Sequence, residues 1–132
     1  MDSALRHAEL TPQQIDYVNA HGNGMPDYDR VDTEALRASF GRTAYNIPVS
    51  SIKSMVGHAM GAAGSLQVAA TCLTLAHSVI PPTINYEVPD PACDLDYVPN
   101  VARFCRVRRA LVNAHAIGGT YSALILGAQD TS

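Results

Sequence analysis

Ser50-Ser51-Ile52-Lys53-Ser54-Met55-Val56-Gly57-His58-Ala59-Met60-Gly61-Ala62-Ala63-Gly64 is the stretch from which the rest of this chain can be read. Ile47–Ser51 has the β-branched, apolar character of a short strand, and Lys53 to His58 form the loop leaving it. A helix is predicted from about Gly61 to Ser78, with Leu66, Ala70 and Leu73 on one face and Val68, Cys72 and Leu75 on another. Strand, loop and apolar helix in that order are the signature of an α/β layer. The small residues around Lys53 and His58 let other backbone approach closely.

The same grammar repeats upstream. Thr11-Pro12-Gln13-Gln14 combines an N-cap, a proline at the first helical position and a capping-box glutamine, so one helical turn is predicted. Ile15–Ala20 then reads as a strand that delivers His21 to its C-terminal end, where Gly22 and Gly24 let the chain turn. Residues 2–10 carry Ala4, Leu5 and Ala8 at helical spacing. Asp29 is placed to cap a helix running to about Phe40, with Asp32 and Glu34 favourable in its first turn and Gly41 ending it. Beyond Pro81-Pro82 and Pro89-Asp90-Pro91, three β segments are expected at Phe104–Val107, Ala110–His115 and Tyr121–Gly127. The last two join through Gly118-Gly119. The expected architecture is a single α/β domain over residues 1–132, a mixed sheet of about five strands with a buried central helix.

That helix poses a packing problem. Residues 54–86 contain no Asp, Glu, Lys or Arg, yet Ser65, Gln67, Thr71, Thr74 and His77 interrupt the apolar run and Pro81-Pro82 end it. The segment is too polar for a membrane span, which needs about 20 predominantly apolar residues. A helix apolar on several faces needs cover on two sides, and one sheet covers one. Self-association or docking on another chain is therefore expected.

The bulk numbers narrow the class. The chain is 47% hydrophobic and 16% charged, the range of ordinary globular proteins. A net charge of −3 gives no electrostatic reason to bind nucleic acid or an anionic membrane. Arg103, Arg106, Arg108 and Arg109 have a single interleaved aromatic, Phe104, and read as a solvated edge. Cys72, Cys93 and Cys105 are an odd set without CxxC spacing, which argues for a reducing, cytoplasmic setting rather than a disulfide framework. No histidine pair has HxH or HExxH spacing, so no metal is expected. The N-terminus lacks the basic-then-apolar layout of a signal peptide.

Chemistry concentrates at two histidines. His21 and His58 each follow a predicted strand, and α/β sheets collect ligand contacts at strand C-termini. Either one alone is compatible with a histidine hydrogen-bonded to local backbone. As a pair, two neutral imidazoles presenting N–H donors to one oxygen would stabilise an enolate or thioester oxyanion. Lys53 reads either as a cation ordering that site or as a surface lysine.

At these residues the chain resembles the C-terminal half of the β-ketoacyl synthases, the condensing enzymes of fatty-acid and polyketide biosynthesis. The resemblance runs through Tyr17-Val18-Asn19-Ala20-His21-Gly22, Val49 to His58, Gly61-Ala62-Ala63-Gly64, Pro81-Pro82-Thr83-Ile84-Asn85, Cys93 to Pro99 and Gly118-Gly119-Thr120. The lysine motif is similar in wording to ketosynthase subunits of type II polyketide systems. The resemblance implies a thiolase-like fold. It also implies an acyltransferase role in which His21 and His58 activate a malonyl thioester for decarboxylation, supported by Lys53. The Ile117 N–H falls where the family completes its oxyanion hole, with Gly118, Gly119 and Thr120 beside it in the substrate-binding turn. No cofactor is implied beyond the phosphopantetheine arm of an acyl carrier protein, which carries substrate.

Three departures accompany the resemblance. The family's nucleophilic cysteine belongs to the N-terminal half, and none of the three cysteines here sits at a strand-to-helix elbow near a base. The family's His-Gly-Thr-Gly-Thr turn reads His21-Gly22-Asn23-Gly24-Met25, leaving Asn23 to hydrogen-bond the arm. The family's Gly-Phe-Gly-Gly-Thr-Asn loop reads Ala116-Ile117-Gly118-Gly119-Thr120-Tyr121, preceded by His115 where phenylalanine is usual. The expected function is one half of a split 3-oxoacyl synthase, inactive alone, assembled with a cysteine-bearing N-terminal chain as a hetero- or homo-oligomer. The alternatives are a non-catalytic ketosynthase-like binding or scaffold subunit and a free-standing lyase or hydrolase that uses the histidines without covalent catalysis.

Overall fold

Tyr17, Val18 and Asn19 are all buried, and the backbone they form is the centre of the molecule. In the computed structural model, which describes residues 1–129, this strand β1 (Tyr17–Asn19) lies parallel to β2 (Val49–Ser50) on one side. On the other side it lies parallel to β5 (Arg109–Ala116), with Val18 beside Leu111. β6 (Thr120–Gly127) returns antiparallel to β5, giving a mixed sheet of order β2-β1-β5-β6. The sheet has four strands rather than about five, because the Phe104–Val107 segment leaves it. There β4 (Arg103–Phe104) pairs with β3 (Val79–Ile80) as a separate two-stranded ribbon. Ser78 takes a left-handed conformation at the end of the preceding helix, turns the chain into β3, and its carbonyl accepts the Cys105 N–H at 3.1 Å.

Period-two alternation sorts the sheet residues onto two faces. Val18, Ala20 and Leu111 pack with Leu5, Leu36, Phe40 and Leu95 under α1 (Asp2–His7) and α2 (Pro26–Phe40). Tyr17 and Ala110 face the other way, toward Ile80, Val98 and Val107. The turn at Pro12–Gln14 forms with its capping box, Thr11 N–H donating to Gln14 Oε1 at 2.9 Å. α2 begins at Pro26, a turn earlier than an Asp29 cap implies, and ends at Gly41 with φ +56. Asp29 is spent on the preceding turn instead, accepting the Asn23 and Gly24 N–H groups at 3.0 and 3.1 Å.

The helix expected to be buried, α4 (Ala63–His77), is buried on one face only. That face is polar: Gln67, Thr71 and Thr74 lie against the sheet. Gln67 Nε2 donates to the carbonyl oxygens of Ala20 and Asn113 at 2.9 and 3.0 Å, and Asn19 Nδ2 donates to Thr71 Oγ1 at 3.1 Å. Leu66 and Leu73, by contrast, are 41% and 60% exposed, and Cys72 is exposed as well. The two-sided cover that the sequence demands is thus half supplied.

The connection from β3 to β4 is strapped rather than loose. Thr83 N–H donates to Val98 O at 3.0 Å and Asn100 N–H to Thr83 O at 2.9 Å. Asn100 also clamps Tyr86 from both sides, at 3.0 and 2.7 Å. Arg37–Asp94 and Arg103–Asp96 ion pairs brace the intervening residues. Ser51 N–H donates to Thr83 Oγ1 at 3.1 Å and Ile84 N–H to Ser54 Oγ at 3.0 Å, which ties the strap to the Lys53 segment.

Candidate active site

Because β1, β2 and β5 are parallel, their C-terminal ends share one edge of the sheet. His21 lies two residues past β1, Lys53 three past β2, and His115 near the end of β5. Strand ends leave backbone groups and side chains free to face a common space, and three basic side chains converge there.

His21 is 4% exposed. Its Nδ1 accepts the backbone N–H of His115 at 3.3 Å, so the ring proton resides on Nε2. Its carbonyl accepts from Lys53 Nζ and, at 3.3 Å, from Ser51 Oγ. The next residue must be glycine: Gly22 has φ +37, and a Cβ there would stand 2.6 Å from Ser51 Cβ.

His58 follows the short helix α3 (Lys53–Val56), which Gly57 ends with φ +76. Its Nδ1 accepts the Met60 N–H at 3.0 Å, so His58 too carries its proton on Nε2. The rings of His21 and His58 lie 5.4 Å apart, centroid to centroid, inclined at 72°. Two backbone amides thus set two imidazoles in the same tautomer, each with a free Nε2–H donor. Burial first, then the Lys53, His115 and His58 charges, lower the pKa of His21 to about 4. At neutral pH it is a neutral donor and does not compete as a cation.

Lys53 is 8% exposed, and burial lowers its pKa against the opposing pull of Asp32 and Asp29. It is not a surface lysine; it ties the Lys53 helix to the His21 backbone. A cleft of about 590 Å³ opens beside these groups, lined among others by Asn23, Lys53, His58, Thr83 and Tyr86. Asn23 closes an Asx turn, its Oδ1 accepting the Met25 N–H at 2.9 Å, so its Nδ2 is the group left to face a ligand.

Ile117, Gly118, Gly119 and Thr120 form the exposed tip of the β5–β6 hairpin, outside the cleft lining, with Ile117 96% exposed. Cys93 lines the cleft, but no histidine among the described residues is hydrogen-bonded to its thiol. Asp32 and Asn113 are buried members of the site that sequence reading assigned to a helix first turn and to a strand. The spacing of Asp29 and Asp32, one helical turn apart behind the histidine turn, is the signal that marks a shared face.

Residues 1–87 match the C-terminal domain family of the beta-ketoacyl synthases. The chain is 54% identical over 124 residues to the tetracenomycin polyketide synthase ketoacyl synthase alpha subunit of Streptomyces glaucescens, covering 94% of this chain and 29% of that protein. It is 44% identical over 126 residues to 3-oxoacyl-[acyl-carrier-protein] synthase 2 of Coxiella burnetii, covering 96% and 30%. In structure it is similar to the ketosynthase in a complex of a type II polyketide synthase acyl-carrier protein with its ketosynthase bound to the hexaketide. That match has a TM-score of 0.95 and 37% identity, over 98% of this chain and 32% of that one. The ishigamide ketosynthase/chain length factor matches with a TM-score of 0.91 and 38% identity, over 95% and 30%.

The fold is therefore that of the thiolase-like class. Within it, the chain belongs to the beta-ketoacyl synthases, as their C-terminal domain. It spans about 30% of the length of the curated relatives it matches.

Proposed function

We propose that this chain supplies the decarboxylating half of a 3-oxoacyl synthase active site that acts on thioesters carried by the phosphopantetheine arm of an acyl carrier protein. The observation that carries the reading is the pair of imidazoles, 5.4 Å apart, each fixed by a backbone N–H as an Nε2–H donor. When the carboxylate of a malonyl thioester leaves as CO₂, its electron pair becomes an enolate, and negative charge collects on the thioester oxygen. Two Nε2–H donors held on neighbouring rings stabilise that charge with little reorganisation. Lys53 holds the His21 backbone in place. Asn23 Nδ2 is the donor we assign to the arm, and the hairpin tip at Ile117 to Thr120 the part that meets the acyl thioester once the site is complete.

The nucleophilic cysteine, in this reading, comes from a separate N-terminal ketosynthase chain seated on the exposed face of α4 and on β6. Leu66, Leu73 and Leu124 are the apolar residues awaiting that cover. The assembly would work in the cytoplasm on polyketide or fatty-acid thioesters. A non-catalytic ketosynthase-like scaffold is the second reading, favoured by the Asn23 turn, where Oδ1 is already committed to backbone.

Native mass spectrometry of the chain, alone and coexpressed with cysteine-bearing ketosynthase-like partners, tests the proposal. A stoichiometric complex that releases CO₂ from a malonyl thioester and condenses it is the expected result. A complex without turnover selects the scaffold, and a stable partner-free chain overturns the split synthase.

A further inference from the structure

Asp32 is 7% exposed and reaches three partners around His21. Its Oδ2 accepts the N–H of Gly22, the residue after His21, at 3.2 Å. Its Oδ1 accepts from Asn113 Nδ2 at 3.1 Å and lies 3.3 Å from His115 Nε2. The His115 Nε2 makes no hydrogen bond, so this last contact is a close approach of the ring to the carboxylate. The His115 side chain is itself 8% exposed, and its ring lies 3.8 Å from that of His21, centroid to centroid, inclined at 34°. Tyr28 stacks on the same imidazole at 5.8 Å.

We propose that Asp32 and His115 form a positioning pair that seats the His21 ring and fixes its tautomer. The amide that sets His21 in the Nε2–H form belongs to His115, at the end of a hairpin whose tip is fully exposed. Pairing with β6, where His115 lies opposite Tyr121, and the Asn113–Asp32 bond hold that amide from the strand side. The His115 side chain is a further anchor, its Nε2 lying 3.3 Å from a carboxylate on α2 while its ring presses on the imidazole that the amide serves. One carboxylate thereby fixes the ring from the turn that follows it and from the strand beside it. The effect on turnover rests on the decarboxylating role proposed for His21; the effect on the ring does not.

The test therefore reads the ring first. In the full chain with nitrogen-15 histidine, wild-type His21 should show the well-separated Nδ1 and Nε2 signals of a single tautomer. His115→Phe keeps an aromatic ring but removes the anchor, and Asp32→Asn keeps the shape but removes the charge. Each is expected to draw the two signals together as the tautomers mix. In the condensing complex, the same variants should lower kcat for malonyl-thioester decarboxylation on the order of 10- to 100-fold, with KM little changed. Unchanged His21 signals in both folded variants overturn the proposal, as does unfolding of both, which would make the pair structural. Shifted signals without any wild-type turnover would uphold the pair and refute the decarboxylase reading instead.

Discussion

His21 and His58 are interchangeable in sequence logic but not in the structure. One is buried with its pKa lowered to about 4, while the other stands exposed at the cleft. His21→Ala or His58→Ala is expected to cut decarboxylation about 10²- to 10³-fold, the usual cost of an oxyanion donor, with assembly intact by native mass spectrometry. His21 also links stability to pH. Its folded pKa of about 4 lies below the open-chain 6.5, so between those values the unfolded chain binds more protons. Stability from this group is complete above pH 6.5 and is lost as the pH falls through about 4. Urea unfolding of wild type and His21→Phe across that window should show a steeper acid loss in the wild type. Strand ends and small neighbours made both histidines legible in the sequence. The Asp32 contacts with Asn113 and His115 were not, because they join residues more than eighty positions apart whose pairing only the fold decides.

Within α4, hydrophobic patterning predicted a helix and its length almost correctly, yet not that a polar face would be the buried one. Leu66 and Leu73 mark an apolar face; they do not say which neighbour covers it. Here the polar residues meet the sheet, because Gln67 crosslinks the ends of β1 and β5 that carry His21 and His115. Replacing it should strand buried carbonyls at a cost of about 1–3 kcal/mol. Gln67→Leu is therefore expected to lower the urea midpoint although it adds apolar surface, whereas a rise would show that packing outweighs the crosslink. Gly22→Ala belongs to the same scale. The clash with Ser51 and the positive φ should cost about 1–3 kcal/mol and displace the histidine turn, which thermal unfolding reports.

For the whole molecule, the exposed outer face of α4 is where the proposed partner chain would sit. Leu73→Glu, at a position 60% exposed, should leave the chain folded by circular dichroism while weakening the proposed complex on native mass spectrometry. Loss of fold instead would place Leu73 in the chain's own core. The strap between β3 and β4 has a different consequence. Val88 is 87% exposed, but the residues on either side of it are held by Thr83, Tyr86, Asp94, Asp96 and Asn100. A protease that nicks the backbone at Val88 would thus open no hinge. The two pieces should stay docked through a native gel and part only in denaturant, so the cleft wall that Val88 shares with His58 survives a cut in its own backbone.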